Sequence, residues 1–223
     1  MTLSIAAWDQ ATGQLGAIIS SSSISVSSRC LHWRRGTGIA LSQNITDPRL
    51  GPRMLALLAD GVEVEAAMDA VVHSTPYIGY RQLGLIDARG NTARYTGDGV
   101  LGCFASAEGR FCVAAGNLLA NESVPAAMIA GFEGAEGSLG SRLLAALVAG
   151  VEAGGEAGPL HSAGMLIGGE PSWPIAELRI DWDHDPIAKM QAGWAVYEPQ
   201  VQDYITRAYN PEAAPSYGVP GDP

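Results

Sequence analysis

Residues 2–9 are apolar and tolerant of extended backbone, a turn follows at Ala11-Thr12-Gly13-Gln14, and residues 15–23 are apolar again, so the chain is predicted to open on a β-hairpin. In the serine run at 20–28, Ile24 and Val26 alternate with hydroxyls, which reads as a strand or strand end rather than a flexible linker. Residues 37–43 read as a third strand. Pro48 and Gly51-Pro52 then introduce a helical pattern with Met54, Leu55, Leu57 and Leu58 apolar, closed by Asp60-Gly61, and a second helix fits 64–72 before Thr75-Pro76. Residues 81–87 and 92–96 form another predicted hairpin about the turn at 87–91, with a further strand at 111–115. Helices follow at 123–132 and 138–151, the latter with Leu139, Leu143, Leu144, Leu147 and Val151 at helical spacing and Gly154-Gly155 as its stop. Strands at 162–167 and 175–180 and a helix at 186–204, with Pro186 suited to its first turn, complete the pattern.

Consecutive hairpins imply antiparallel pairing, and helix pairs inserted between strand groups need sheet faces to cover. The expected fold is therefore α+β: a four-layer αββα sandwich of two mainly antiparallel sheets. It is expected to form one domain over residues 1–209, followed by a Pro/Gly-rich arm at 210–223. No internal repeat or interdomain linker interrupts the order.

Composition narrows the partners. Of 223 residues, 47% are apolar and 16% charged, as in a packed globule, and the formal charge is −10. With no basic footprint, nucleic acid and anionic membrane surfaces are excluded as partners, leaving a small-molecule substrate. No apolar run is long enough to span a bilayer, and the first residues lack the basic start of a signal peptide, so a cytoplasmic location is expected. Cys30, Cys103 and Cys112 have neither the number nor the spacing of a disulfide framework or zinc ribbon. Self-association as a twofold homo-oligomer is expected on general grounds.

By the two-residue strand period, Thr2, Ser4 and Ala6 share one face, and Ser21, Ser42 and Gln43 lie on neighbouring strands, which suggests a polar seam inside an apolar sandwich. Gln43-Asn44 and Gly116-Asn117 each end a strand, where amides orient a polar substrate without titrating; either Asn also suits a left-handed turn. Arg29 and Arg81 offer positive charge but no proton shuttle. Asp181, Asp183 and Asp185 would face one way in an extended segment and suit Mg or Ca, making a metal-assisted hydrolase an alternative, but Asp185 before Pro186 reads first as a helix cap. His32, His73 and His161 are scattered, GxSxG is absent, and the Gly-rich pieces have neither Walker A nor GxGxxG form. No metal or cofactor is therefore assigned.

Several motifs in order carry a resemblance: Ser4-Ile5-Ala6-Ala7 with Asp9 and Thr12-Gly13; Ser42-Gln43-Asn44 with Asp47-Pro48 and Gly51; Arg81-Gln82 with Gly84, Asp87 and Gly90; Gly116-Asn117-Leu118-Leu119; and Leu178-Arg179 through Pro186. Over roughly residues 2 to 190 the chain resembles the DUF1028 family, grouped with the N-terminal nucleophile (Ntn) hydrolase-like folds. The resemblance implies amide hydrolysis, for which Thr2, once Met1 is removed, is the candidate nucleophile with its free amine as base; Ser4, Ser21, Gln43, Asn44, Arg81 and Asn117, taken from the strand pattern and side-chain chemistry above, are the candidate substrate-binding residues. The chain departs from the family pattern at Ala115, where Gln is common before Gly-Asn, and at Cys103-Phe104-Ala105-Ser106. The rival from another class is a non-catalytic binding or scaffold protein on the same fold.

Overall fold

A computed structural model describes residues 2–219; the expected removal of Met1 and the end of the C-terminal arm lie outside the described residues. The elements run β1 (Thr2–Trp8), β2 (Leu15–Ser21), α1 (Ser27–Cys30), β3 (Leu31–Arg34), β4 (Gly38–Asn44), α2 (Leu50–Ala59), α3 (Val64–Ser74), β5 (Arg81–Asp87), β6 (Thr92–Thr96), β7 (Phe104–Gly109) and β8 (Cys112–Asn117). They continue with α4 (Val124–Gly134), α5 (Leu139–Glu152), β9 (Ser162–Gly168), β10 (Ala176–Ile180), α6 (Pro186–Tyr197) and α7 (Val201–Tyr209). One sheet has six strands in the order β10-β9-β2-β1-β8-β7 and the other four in the order β3-β4-β5-β6. Every pairing is antiparallel.

The strand period sorts side chains into three apolar layers. Leu3, Ile5 and Ala7 of β1 pack with Met128 and Phe132 of α4 and with Leu143, Ala146 and Leu147 of α5. Ala6, Ala17, Ile19, Ile39, Leu41, Ile86 and Val113 meet between the two sheets. Ala40, Leu83 and Leu85 pack under Met54 of α2 and Met68 and Val71 of α3. The stacking is thus helix, sheet, sheet, helix, the αββα sandwich expected. Phe132 is fully buried, and burying such a side chain contributes roughly 1.5–3 kcal/mol. Among the described residues no helix is long and apolar enough to cross a membrane.

The structure corrects the element list in three places. Residues 22–26 leave the sheet after Ser21 and lead into the single turn of α1, because Ser23, Ser25 and Ser28 bond to local backbone and hydroxyls instead of a ladder. β3 and β7 are additional edge strands. The helix expected at 186–204 breaks at Glu198–Gln200, where Pro199 has no N–H to continue it, and resumes as α7. Beyond α7, Arg207 reaches the Pro215 carbonyl and lies 3.8 Å from the Tyr217 ring centroid.

Candidate functional site

β1 lies at the centre of the six-stranded sheet, and its residues 2, 4 and 6 face the second sheet. At one end this inter-sheet layer is aliphatic; at the Thr2 end it is polar. Thr2, Ser4, Ser21, Gln43, Gln82 and Asn117 are all buried there. Ser4 Oγ donates to Gln43 Oε1 across the sheets at 2.7 Å, and Gln43 Nε2 donates to Gln82 Oε1 at 2.8 Å. Asn117 Nδ2 donates to the same Gln82 oxygen at 3.2 Å. Gln82 Nε2 reaches the carbonyls of Gly116 at 3.0 Å and Ala105 at 3.2 Å. Asn117 stands directly opposite Thr2 in the β1–β8 register, and its Oδ1 is buried without a hydrogen-bond partner. An acceptor left so costs about 1–3 kcal/mol unless a donor meets it.

A second chain of hydroxyls runs from Thr2 toward a positive charge. Thr2 Oγ1 donates to Ser21 Oγ at the long limit of 3.5 Å, Ser21 and Ser23 hydroxyls are 2.8 Å apart, and Arg29 Nη2 donates to Ser23 Oγ at 2.6 Å. Arg29 also holds the Ile24 and Ser25 carbonyls, fixing the segment that leaves β2.

Five non-glycine residues among those described have positive φ, and four of them ring this end: Ser25, Asn44, Tyr77 and Leu118, at φ between 51° and 74°. Left-handed backbone at such residues is disfavoured and concentrates at functional sites.

Of the predicted site residues, the structure brings Thr2, Ser4, Ser21, Gln43 and Asn117 together. Asn44 is instead the left-handed turn residue, bonding the Tyr80 carbonyl at 2.6 Å and accepting from Leu101 N at 3.3 Å. Arg81 is one residue out of phase with Gln82, and its guanidinium holds the Ile45 carbonyl. These two brace the loops at the rim. Ser42 faces the helical side and donates to the Asp47 carbonyl.

Two residues escaped the sequence reading. Gln82 sits inside a quoted motif, and its strand phase with Gly84 and Ile86 would have placed it in the seam. Glu156 gave no such signal. It lies in a Gly-rich turn after α5, is 7% exposed, and forms a bridge with Leu119 just beyond β8. Its Oε2 accepts from Ser22 N at 3.2 Å, while Oε1 is buried without a partner. Burial pushes its carboxyl up to about 7, against the opposing pull of the positive chain terminus and then of the Ser22 hydrogen bonds.

The acidic segment at 181–185 is occupied with its own chain. Arg179 pairs with Asp181 at 2.8 Å, Asp183 Oδ1 accepts from Asp185 N, and Asp185 Oδ1 caps α6 by accepting from Ala188 N at 3.1 Å. A cleft of about 700 Å3 lies at the opposite end of β1, lined by Trp8, Asp9, Arg110, Phe111, Glu133 and Arg142. None of the predicted site residues lines it.

The sequence matches the family described as "Family of unknown function (DUF1028)" over residues 2–190. The chain belongs to the DUF1028 family. A solved member, protein SPO2555 from Silicibacter pomeroyi, is 31% identical, with a TM-score of 0.82 over 88% of each chain. Anbu (ancestral beta-subunit) from Yersinia bercovieri is 14% identical over 92% of this chain and 97% of its own, with a TM-score of 0.41. No curated protein matches the sequence. As a DUF1028 chain, the protein departs from the expected pattern at Ala115, which lies on the seam face between Ser4 and Ser106, so a small side chain stands where an amide was expected.

Proposed function

We propose that the protein is an N-terminal nucleophile hydrolase that cleaves the C–N bond of a small, non-peptide amide. The observation that carries the reading is the position of Thr2: the end of a central strand, facing a buried seam of uncharged amides and hydroxyls between two stacked sheets. With Met1 removed, the Thr2 α-amine in its neutral form takes the Oγ1 proton as Oγ1 attacks the substrate carbonyl carbon. Asn117, opposite Thr2, is the side-chain amide best placed to stabilise the resulting oxyanion. The ammonium then gives its proton to the departing nitrogen as the C–N bond breaks, leaving an ester on Oγ1. Water adds to that ester, the C–O bond breaks, and the acid leaves as Oγ1 regains its hydrogen. Ser4, Ser21 and Gln43 hold the substrate by hydrogen bonds, and no cofactor is required.

The second reading, a non-catalytic binding or scaffold protein, is favoured by the burial of Thr2, 5% exposed, and by the 700 Å3 cleft lying at the other end of β1. Intact mass and a panel of small amides and ureido compounds separate the two. The hydrolase reading expects a Thr2 terminus in the native host and a loss on the order of 10³-fold or more in turnover for Thr2→Ala. Retained Met1 on a homogeneous species rejects it.

A further inference from the structure

β1 lies between β2 and β8, so whatever joins the extensions of those two neighbours must pass over the end of β1. Glu156 makes that connection. Its backbone is bridged to Leu119, two residues past Asn117, and its Oε2 accepts from the backbone of Ser22, one residue past Ser21. Thr2 is the β1 residue flanked by Asn117, and its hydroxyl meets Ser21. These two anchors place the carboxyl between the extensions of β2 and β8, at the end of β1 that begins with Thr2, with Oε1 buried and unpartnered. A buried carboxyl oxygen in that state is costly unless a donor or a cation meets it. The charged side chains on the flanking segments do not: Arg29 is committed to Ser23 and the carbonyls of Ile24 and Ser25, and Glu122 and Glu152 are exposed acids.

We infer that Glu156 is a positioning residue that binds the α-ammonium of Thr2 through Oε1 and turns the nitrogen toward Oγ1. The inference rests on the Thr2 reading and adds a residue to it. Within the pair, one N–H of the terminal group is held by the carboxylate, which stops free rotation about the Cα–N bond and leaves the lone pair exposed on deprotonation two positions, one of them facing the hydroxyl. The two groups share a proton and titrate together.

The test is the protonation of the terminal amine, read from the Thr2 Cα and Cβ shifts of 13C-threonine-labelled protein against pH, in wild type and Glu156→Gln. Removing a carboxylate at contact distance is expected to lower the amine pKa by roughly one to three units. Glutamine keeps the acceptor for Ser22 N, so a merely structural role would leave that titration unmoved. In wild type, 13C-glutamate carboxyl shifts are expected to show Glu156 titrating in two steps, one coincident with the amine, and this holds even if the glutamine variant does not fold. A Thr2 terminus whose amine titrates identically in both proteins, or a single-step Glu156 independent of it, overturns the inference and leaves the hydrolase reading standing. Retained Met1 by intact mass overturns both.

Discussion

Gln82 commits its carbonyl oxygen and its amide nitrogen entirely inside the molecule, accepting from Gln43 and Asn117 and donating to Gly116 and Ala105. Such a network is strong when complete and costly when broken, because each orphaned partner keeps its desolvation penalty. Gln82→Leu strands two side-chain donors and two backbone acceptors, and is expected to cost about 2–4 kcal/mol, read as a lower urea midpoint at unchanged m. Ser4→Ala, which releases only the Gln43 acceptor, is expected to cost about 1–2 kcal/mol. At this scale the two-residue strand period made Thr2, Ser4, Ser21, Gln43 and Asn117 legible, since each lies in phase with an aliphatic inter-sheet neighbour. The same period, carried to β5, separates Arg81 from Gln82. Glu156 was illegible because its burial depends on Ser22 and Leu119, contributed by distant stretches of chain, and nothing local in Gly154-Gly155-Glu156 reports them.

Elements were legible where their apolar positions are strongly periodic. α5 shows this: Leu139, Leu143, Ala146, Leu147 and Gly150 form its buried stripe, and Ser138 Oγ caps it by accepting from Ser141 N. β7 was missed for the opposite reason, its residues Phe104–Gly109 all being at least partly exposed and too small or polar to alternate visibly. β3 is four residues long with only Leu31 buried. Such edge strands take their pairing from a neighbour rather than their own pattern. Contacts between helices were equally hidden. Gly140 of α5 leaves room for the Trp194 ring of α6, since a Cβ there would lie 2.2 Å from Trp194 Cζ2. Trp194 Nε1 also donates to Ser141 Oγ at 3.0 Å, so the ring has little freedom to retreat. Gly140→Ala, which would raise helix propensity on an exposed face, is therefore expected to lower stability by about 1–3 kcal/mol. Thermal unfolding of Gly140→Ala beside Gly134→Ala, a position with open space around it, separates crowding from propensity.

Across the whole molecule two carboxyls set opposing limits on stability with pH. The Arg49 guanidinium beside Asp47 holds that carboxyl down to about 2, so its contribution is present above the unfolded value of 3.8 and lost as pH falls toward 2. Glu156 works the other way. Below 4.5 it is protonated folded and unfolded alike and changes nothing. Between 4.5 and about 7 the unfolded chain gives up a proton that the native state keeps, so stability declines as pH rises and levels off above about 7. Glu156 thus lowers the urea midpoint between pH 5 and 7.5, against the opposite slope of His32, whose burial lowers its imidazole pKa and favours the fold as pH rises through 6.5. The formal charge of −10 adds repulsion of the same sign, but most of its 23 acids are already ionised at pH 5.5, so it changes little in the upper half of that window. Glu156→Gln isolates the local effect: the variant should lose whatever decline between pH 5 and 7.5 the Thr2 ammonium leaves uncompensated, a gain of at most about 3 kcal/mol over wild type at the higher pH. A decline that persists undiminished in the glutamine variant would assign the slope to the global charge, and with it would go the account of Glu156 as a carboxyl whose ionisation the fold resists.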